Sequence, residues 1–153
     1  MCPGAVAADS VMPAGACEQH AELFDPMTGL PGWALLLDRT RVALARAWRT
    51  HEMVAILVLE VSEHRGGRSP DLVSVAESLG ARLRPDDTLA CVDANRFVAV
   101  CGDIRRDEDA GKIADRLTEH GALGLSWRVG VAVCGGTTDP EEALTRAYRQ
   151  TDG

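Results

Sequence analysis

A chain of 153 residues, 46% hydrophobic and 25% charged, can bury one self-sufficient core, which excludes a short peptide, a disordered tail and a multidomain enzyme. Its 23 acidic against 16 basic residues leave a formal charge of −7, so neither a polyanionic nucleic-acid backbone nor an anionic membrane face exerts a general attraction on it. No apolar run approaches the roughly 20 residues that cross a bilayer, and the first residues lack the basic stretch and apolar segment of a secretory signal, so the expectation is a cytoplasmic protein with no membrane or nucleic-acid partner.

Residues 1–22, rich in Ala, Gly and Pro and without periodicity, read as a flexible leader, and the folded domain is expected over 23–153. From Trp33 to Thr50 the apolar residues Trp33, Leu36, Leu37, Leu44 and Trp48 recur at helical spacing, which predicts an amphipathic helix. Met53 to Val61 is a nearly unbroken β-prone run, of the kind found in a central strand covered on both faces. Two glycines and a proline between Glu63 and Pro70 mark a loop, followed by a helix predicted from Asp71 to about Arg84. Thr88–Val92 and Arg96–Cys101 read as strands at hairpin spacing around Asp93, Ala94 and Asn95. A helix is expected from Asp107 to about Glu119 and a strand from Ser126 to Val133. A last helix follows, with Asp139 as its N-cap and Pro140 in its first turn. The order α, β, α, β-hairpin, α, β, α predicts an α/β or α+β sandwich, one sheet with helices packed on it.

The five cysteines, Cys2, Cys17, Cys91, Cys101 and Cys134, are scattered and form no CxxC pair, so neither a zinc knuckle nor a disulfide framework is indicated; they are expected to be reduced, the last three in strands. His20, His51, His64 and His120 have no second histidine or cysteine at ligand spacing, and no metal site is expected. Trp33, Trp48 and Trp127 occupy apolar helix or strand positions, which predicts core packing rather than base stacking. The RGGR loop from Arg65 to Arg68 is a compact basic patch, more often solvated than phosphate-binding.

The order of elements and four local phrases together resemble the GGDEF domain, the bacterial domain whose active members condense two GTP molecules into cyclic di-GMP. The resemblance runs from Asp25 to about Tyr148. DPMTGLP, Asp25 to Pro31, is similar to the family's DxLTGLxNR opening, with Gly32 and Trp33 in place of Asn and Arg. ILVLEV resembles the strand that ends in the family's first metal-binding acid. ACVDANRFVAV lies where the family has ARxGGDEFxxx, and WRVGVAV resembles its SxGxA strand. The resemblance implies a nucleotidyl cyclase-like central sheet surrounded by helices.

It also implies what a cyclase would need. Magnesium takes hard oxygen ligands, which the family supplies from the central strand and from the fourth letter of its signature. Glu60 stands at the first place but Arg96 at the second, so a guanidinium replaces a carboxylate and two-acid coordination cannot form. The two signature glycines, which let a nucleotide approach the backbone, are Asp93 and Ala94. Asn95 and Phe97 keep the hairpin's structural roles, the phenylalanine as core. Glu60, left alone, is expected to face solvent or to pair with Arg65. The phosphate- and guanine-binding loop of active members is reduced to EHRGGRSPD, shorter by about eight residues. The signature is degenerate, and the expectation is a chain that is not an enzyme.

What survives is a motif similar to the family's inhibitory site, RxxD ending five residues before the signature: Arg84, Pro85, Asp86 and Asp87, with Thr88 to Val92 intervening. A guanidinium fork can donate to guanine O6 and N7, and a carboxylate can accept from guanine N1 and N2. The family places a further arginine in a helical phrase resembling IAERI, here IADRL, which makes Arg116 the match and Lys112, one turn earlier, a weaker candidate. A structural reading stands beside this: Arg84 against a helix macrodipole and Asp87 capping a turn. The resemblance thus implies an inactive receptor for cyclic di-GMP, binding through Arg84, Asp87, Arg116 and Lys112, with no cofactor and with ligand-bridged homodimerisation as a corollary. The alternative is a ligand-independent module that docks on a protein partner. Residual GTP binding is disfavoured by Asp93 and the short loop, and cyclase activity ranks last.

Overall fold

The structure, a computed structural model, describes residues 23–63, 71–119 and 125–152. The leader expected over 1–22, the RGGR loop, Cys2, Cys17, His20, His64 and His120 lie outside the described residues. Helix α1 (Trp33–Thr50) leads into strand β1 (Met53–Glu63), followed by α2 (Leu72–Ala81), β2 (Thr88–Cys91), β3 (Arg96–Ile104), α3 (Asp107–Thr118), β4 (Leu125–Gly135) and α4 (Pro140–Asp152). The strands form one antiparallel sheet in the order β2-β3-β1-β4. The expected element order and the α+β sandwich are both present.

The apolar run of β1 explains its central place, because both of its faces are covered. Ala55, Leu57, Leu59 and Val61 face the layer made by Val75, Ala76 and Leu79 of α2 with Ala110, Ile113 and Leu117 of α3. Val54, Ile56 and Val58 face Leu36, Leu44 and Ala47 of α1 with Ala143, Leu144 and Ala147 of α4. Period-two alternation on one strand therefore feeds two cores. Phe97, fully buried in the first of them, has the core role expected of it. Cys91, Cys101 and Cys134 are buried free thiols in strands. No helix among the described residues is long and apolar enough to cross a membrane.

Local chemistry sets the helix starts. The Asp71 carboxylate accepts from Val73 N and Ser74 N ahead of α2, and Asp139 accepts from Glu141 N and Glu142 N ahead of α4, satisfying amides that have no partner inside the helix. The DPMTGLP phrase closes on itself in the same way. Asp25 Oδ2 accepts from Thr28 N at 2.8 Å and Thr28 Oγ1 at 2.7 Å, and Gly29 takes the positive φ of 74° that the turn requires. Pro31 O then accepts from Cys91 N at 3.0 Å, which fixes this opening segment to the end of β2.

Two tryptophans depart from expectation. Trp48 is 64% exposed and Trp33 44%; the Trp48 backbone lies against Gly136 and Trp33 against the Tyr148 ring. Trp127 is partly buried against the first core layer.

The approach of α4 to β4 is close enough to demand glycine. A Cβ on Gly130 would collide with the Ala147 carbonyl and the Thr151 hydroxyl, whereas at Gly111, within α3, it would meet nothing. Gly130→Ala is therefore expected to destabilise the protein by about 1–3 kcal/mol in urea unfolding, while Gly111→Ala stabilises it by about 0.5–1 kcal/mol. Equal effects would contradict this packing.

Candidate functional site

Two clusters hold the residues singled out above. The first lies where β1 emerges between β3 and β4. Glu60 is the register partner of Arg96 on β3 and of Arg128 on β4, so antiparallel pairing sets a guanidinium on either side of one carboxylate. Arg96 Nε lies 3.4 Å from Glu60 Oε2 and Arg128 Nη1 lies 3.8 Å from Oε1. Arg96 is further held by Asp93, 3.9 Å from its Nη1, and by the Tyr148 ring, whose centroid is 5.7 Å from Cζ. Trp33 packs against the same ring at 6.3 Å. Burial, then the Asp93 charge, pushes the Tyr148 hydroxyl up to about 12.

Glu60 keeps 22% of its side chain exposed, and the partner expected for it, Arg65, lies outside the described residues. The register also brings in Arg128, a residue that sequence reading missed. Its alternation within WRVGVAV carried a signal, but only alignment of β4 on β1 assigns it to Glu60. Both oxygens of this carboxylate face fixed positive charge, and a divalent cation would have to displace two guanidiniums to reach it. Among the described residues there is no group of three or more His, Cys, Asp or Glu that could hold a metal ion.

The second cluster surrounds the 84–87 turn. Helix α2 stops at Ala81, with Arg82 as its C-cap, not near Arg84 as expected; Pro85 disfavours helical geometry at the residue before it. Arg84 therefore does not sit in a last helical turn. It opens a reciprocal turn, in which Asp87 N donates to Arg84 O at 3.0 Å and Asp87 Oδ2 accepts from Arg84 N at 3.0 Å. The capping role anticipated for Asp87 is real. Only 2% of its side chain is exposed, and its Oδ1 is buried without a hydrogen-bond partner.

The Arg84 guanidinium, 49% exposed, lies 3.6 Å from Asp87 through Nε and donates from Nη2 to Gly102 O at 2.9 Å. Arg116 reaches over from α3 and donates to Arg82 O at 3.2 Å. Asp87, Arg84 and Arg116 all act electrostatically on the Cys101 thiol, which burial and then Asp87 push up to about 12. Lys112 is exposed one turn earlier on α3.

Gly102 and Asp103 form a bulge in β3, where its register against β1 shifts and Asp103 adopts a φ of 59°. Beside the bulge, a groove of about 390 Å³ runs between α1 and the sheet edge, lined among others by Arg39, Val42, Arg46, Asp86, Gly102 and Asp103. Arg46 Nη2 closes part of it, 3.7 Å from Asp103. Of the 84–87 turn, Asp86 lines this groove; Arg84, Asp87, Arg116 and Lys112 are not among its lining residues.

A four-stranded antiparallel sheet in this order, with paired helices on both faces and a hairpin opposite the end of the central strand, is the fold of the GGDEF domain. No protein-family model matches the sequence. The chain is 31% identical over 106 residues to the bifunctional diguanylate cyclase/cyclic di-GMP phosphodiesterase MucR of Pseudomonas aeruginosa, a match covering 64% of this chain and 15% of that protein. Its structure is similar to that of the diguanylate cyclase SiaD in complex with its activator SiaC, also from Pseudomonas aeruginosa (TM-score 0.72, 23% identity, covering 90% of this chain and 60% of that one). It is similar too to the GGDEF domain of DgcB from Caulobacter crescentus in complex with c-di-GMP (TM-score 0.72, 14% identity, covering 85% and 88%). The chain spans less than two thirds of the length of MucR and of SiaD.

If two guanidiniums block the end of β1, replacing them should open it to a cation. The double variant Arg96→Asp, Arg128→Ala is expected to bind Mn²⁺ with a dissociation constant of about 1 mM, read by water-proton relaxation, with no binding by the unaltered chain in that range. Equal binding by both would show that the arginines do not guard Glu60.

Proposed function

We propose that this chain is a catalytically inactive, degenerate GGDEF domain that acts as a receptor for cyclic di-GMP through an RxxD inhibitory-type site. Arg84 supplies the fork for guanine O6 and N7, Asp87 the acceptor for N1 and N2, and Arg116, with Lys112 in support, the positive charge for phosphate. The supporting observation is that Arg84 lies 3.6 Å from Asp87 and that both, with Arg116, act electrostatically on the one Cys101 thiol. The resemblance of the DgcB domain, which was solved with c-di-GMP, is consistent with this. The inactive state rests on Glu60, whose carboxylate is already occupied by Arg96 and Arg128. Binding is the signal, and no cofactor is required.

Cyclic di-GMP has two chemically equivalent halves, so one ligand can be gripped by two copies of the same site, and a ligand-bridged homodimer follows by mass action. A second reading, a module that docks on a protein partner without ligand, is favoured by Val42 and Trp48, which expose 61% and 64% of their surface on α1.

Calorimetric titration with cyclic di-GMP is expected to give saturable heat, and Arg84→Ala to weaken binding by about 10- to 100-fold, the effect of one charged hydrogen-bonding group. Sedimentation in the presence of ligand should show a larger species. GTP with Mg²⁺ should yield no cyclic di-GMP. An intact protein that gives no heat, and that captures a protein partner without ligand, would replace this reading with the second.

A further inference from the structure

The residues that would grip a ligand are engaged with the protein itself. Arg84 is tied to Gly102 O at 2.9 Å, and Arg116 to Arg82 O at 3.2 Å. The Asp87 carboxylate is closed off: Oδ2 belongs to its own turn, Oδ1 has no partner, and Arg84 Nε stands 3.6 Å away. A buried carboxylate oxygen without a donor costs free energy and is a vacant acceptor. The half-exposed side chain of Arg84 lies beside that carboxylate. The Gly102 carbonyl is the anchor, held in place by the β3 bulge and the Asp103 to Arg46 pair.

We infer that Arg84 is the lid of its own site: in the free protein it spans from the 84–87 turn to Gly102 O and closes off the Asp87 carboxylate, and a ligand enters by offering Arg84 new acceptors in exchange for that carbonyl. This rests on the reading of Arg84 and Asp87 as ligand-binding residues. In the exchange the guanidinium keeps an acceptor throughout, Gly102 O gives up its Arg84 donor for water, and Asp87 Oδ1 gains donors that it lacks in the closed state. A purine with two adjacent acceptors, O6 and N7, next to two donors, N1 and N2, satisfies the exchange, which is the pattern of guanine. Adenine has a donor, N6, beside N7 and would turn it toward the guanidinium.

The test reads the arginine directly. In the full chain labelled with ¹⁵N-arginine, the Arg84 side-chain signals, assigned by their loss in Arg84→Lys, are expected to be resolved without ligand. Their solvent exchange should be about tenfold slower than that of Arg39, which has no hydrogen bond among the described residues. Cyclic di-GMP should shift those signals, and cyclic di-AMP should leave them unchanged. Arg84 signals that exchange as fast as those of Arg39 in the free protein, while calorimetry still records binding, would overturn the lid alone. Absence of heat with cyclic di-GMP would overturn the ligand reading and the lid together. A shift of equal size with cyclic di-AMP would overturn the exchange by donor and acceptor pattern.

Discussion

A single carboxylate between two guanidiniums sets the character of this domain. Glu60 ends the central strand's apolar run, and antiparallel pairing on both sides sets it between Arg96 and Arg128. Three charges in one row of a sheet would be costly if any stood alone. Here each positive group has an acid within 4 Å, and Arg96 adds the Tyr148 ring. Asp93, 3.9 Å from Arg96 Nη1, supplies the second acid, and the hairpin at Asp93 to Asn95 is held to β1 by Asn95 O, which accepts from Val61 N at 2.9 Å.

The same sheet separates this cluster from the 84–87 turn. The turn precedes β2, the edge strand, and its anchor at Gly102 lies toward the far end of β3 from Arg96. The two places hold their charge differently: the first pairs guanidiniums with carboxylates, the second also ties a guanidinium to a backbone carbonyl.

Much of this was legible in the chain itself. The element order, the bounds of α1, the central place of β1 and the caps Asp71 and Asp139 follow from apolar spacing and from residues whose side chains satisfy free amides. What escaped depended on distance in the fold. Arg128 reaches Glu60 only through a strand register that joins residues far apart in sequence. Trp33 and Trp48 keep the helical spacing of Leu36 and Leu44, yet each stays partly exposed, and periodicity does not say how far a face is covered toward the ends of a helix. The end of α2 was readable from Pro85, but the run of Ala81 to Arg84 contains no breaker of its own and drew the helix too far. That Arg84 folds back on Gly102 depends on a bulge, and a bulge is a matter of pairing between strands rather than of local composition.

The guanidinium at Arg96 also changes what the surroundings can do to the protein. An ion site fills and empties with the concentration of its metal, so chelators or competing cations alter any structure built on it. A charge attached to the backbone has no dissociation constant. The charges at the end of the central strand are therefore covalently fixed, and salt screens them without removing them.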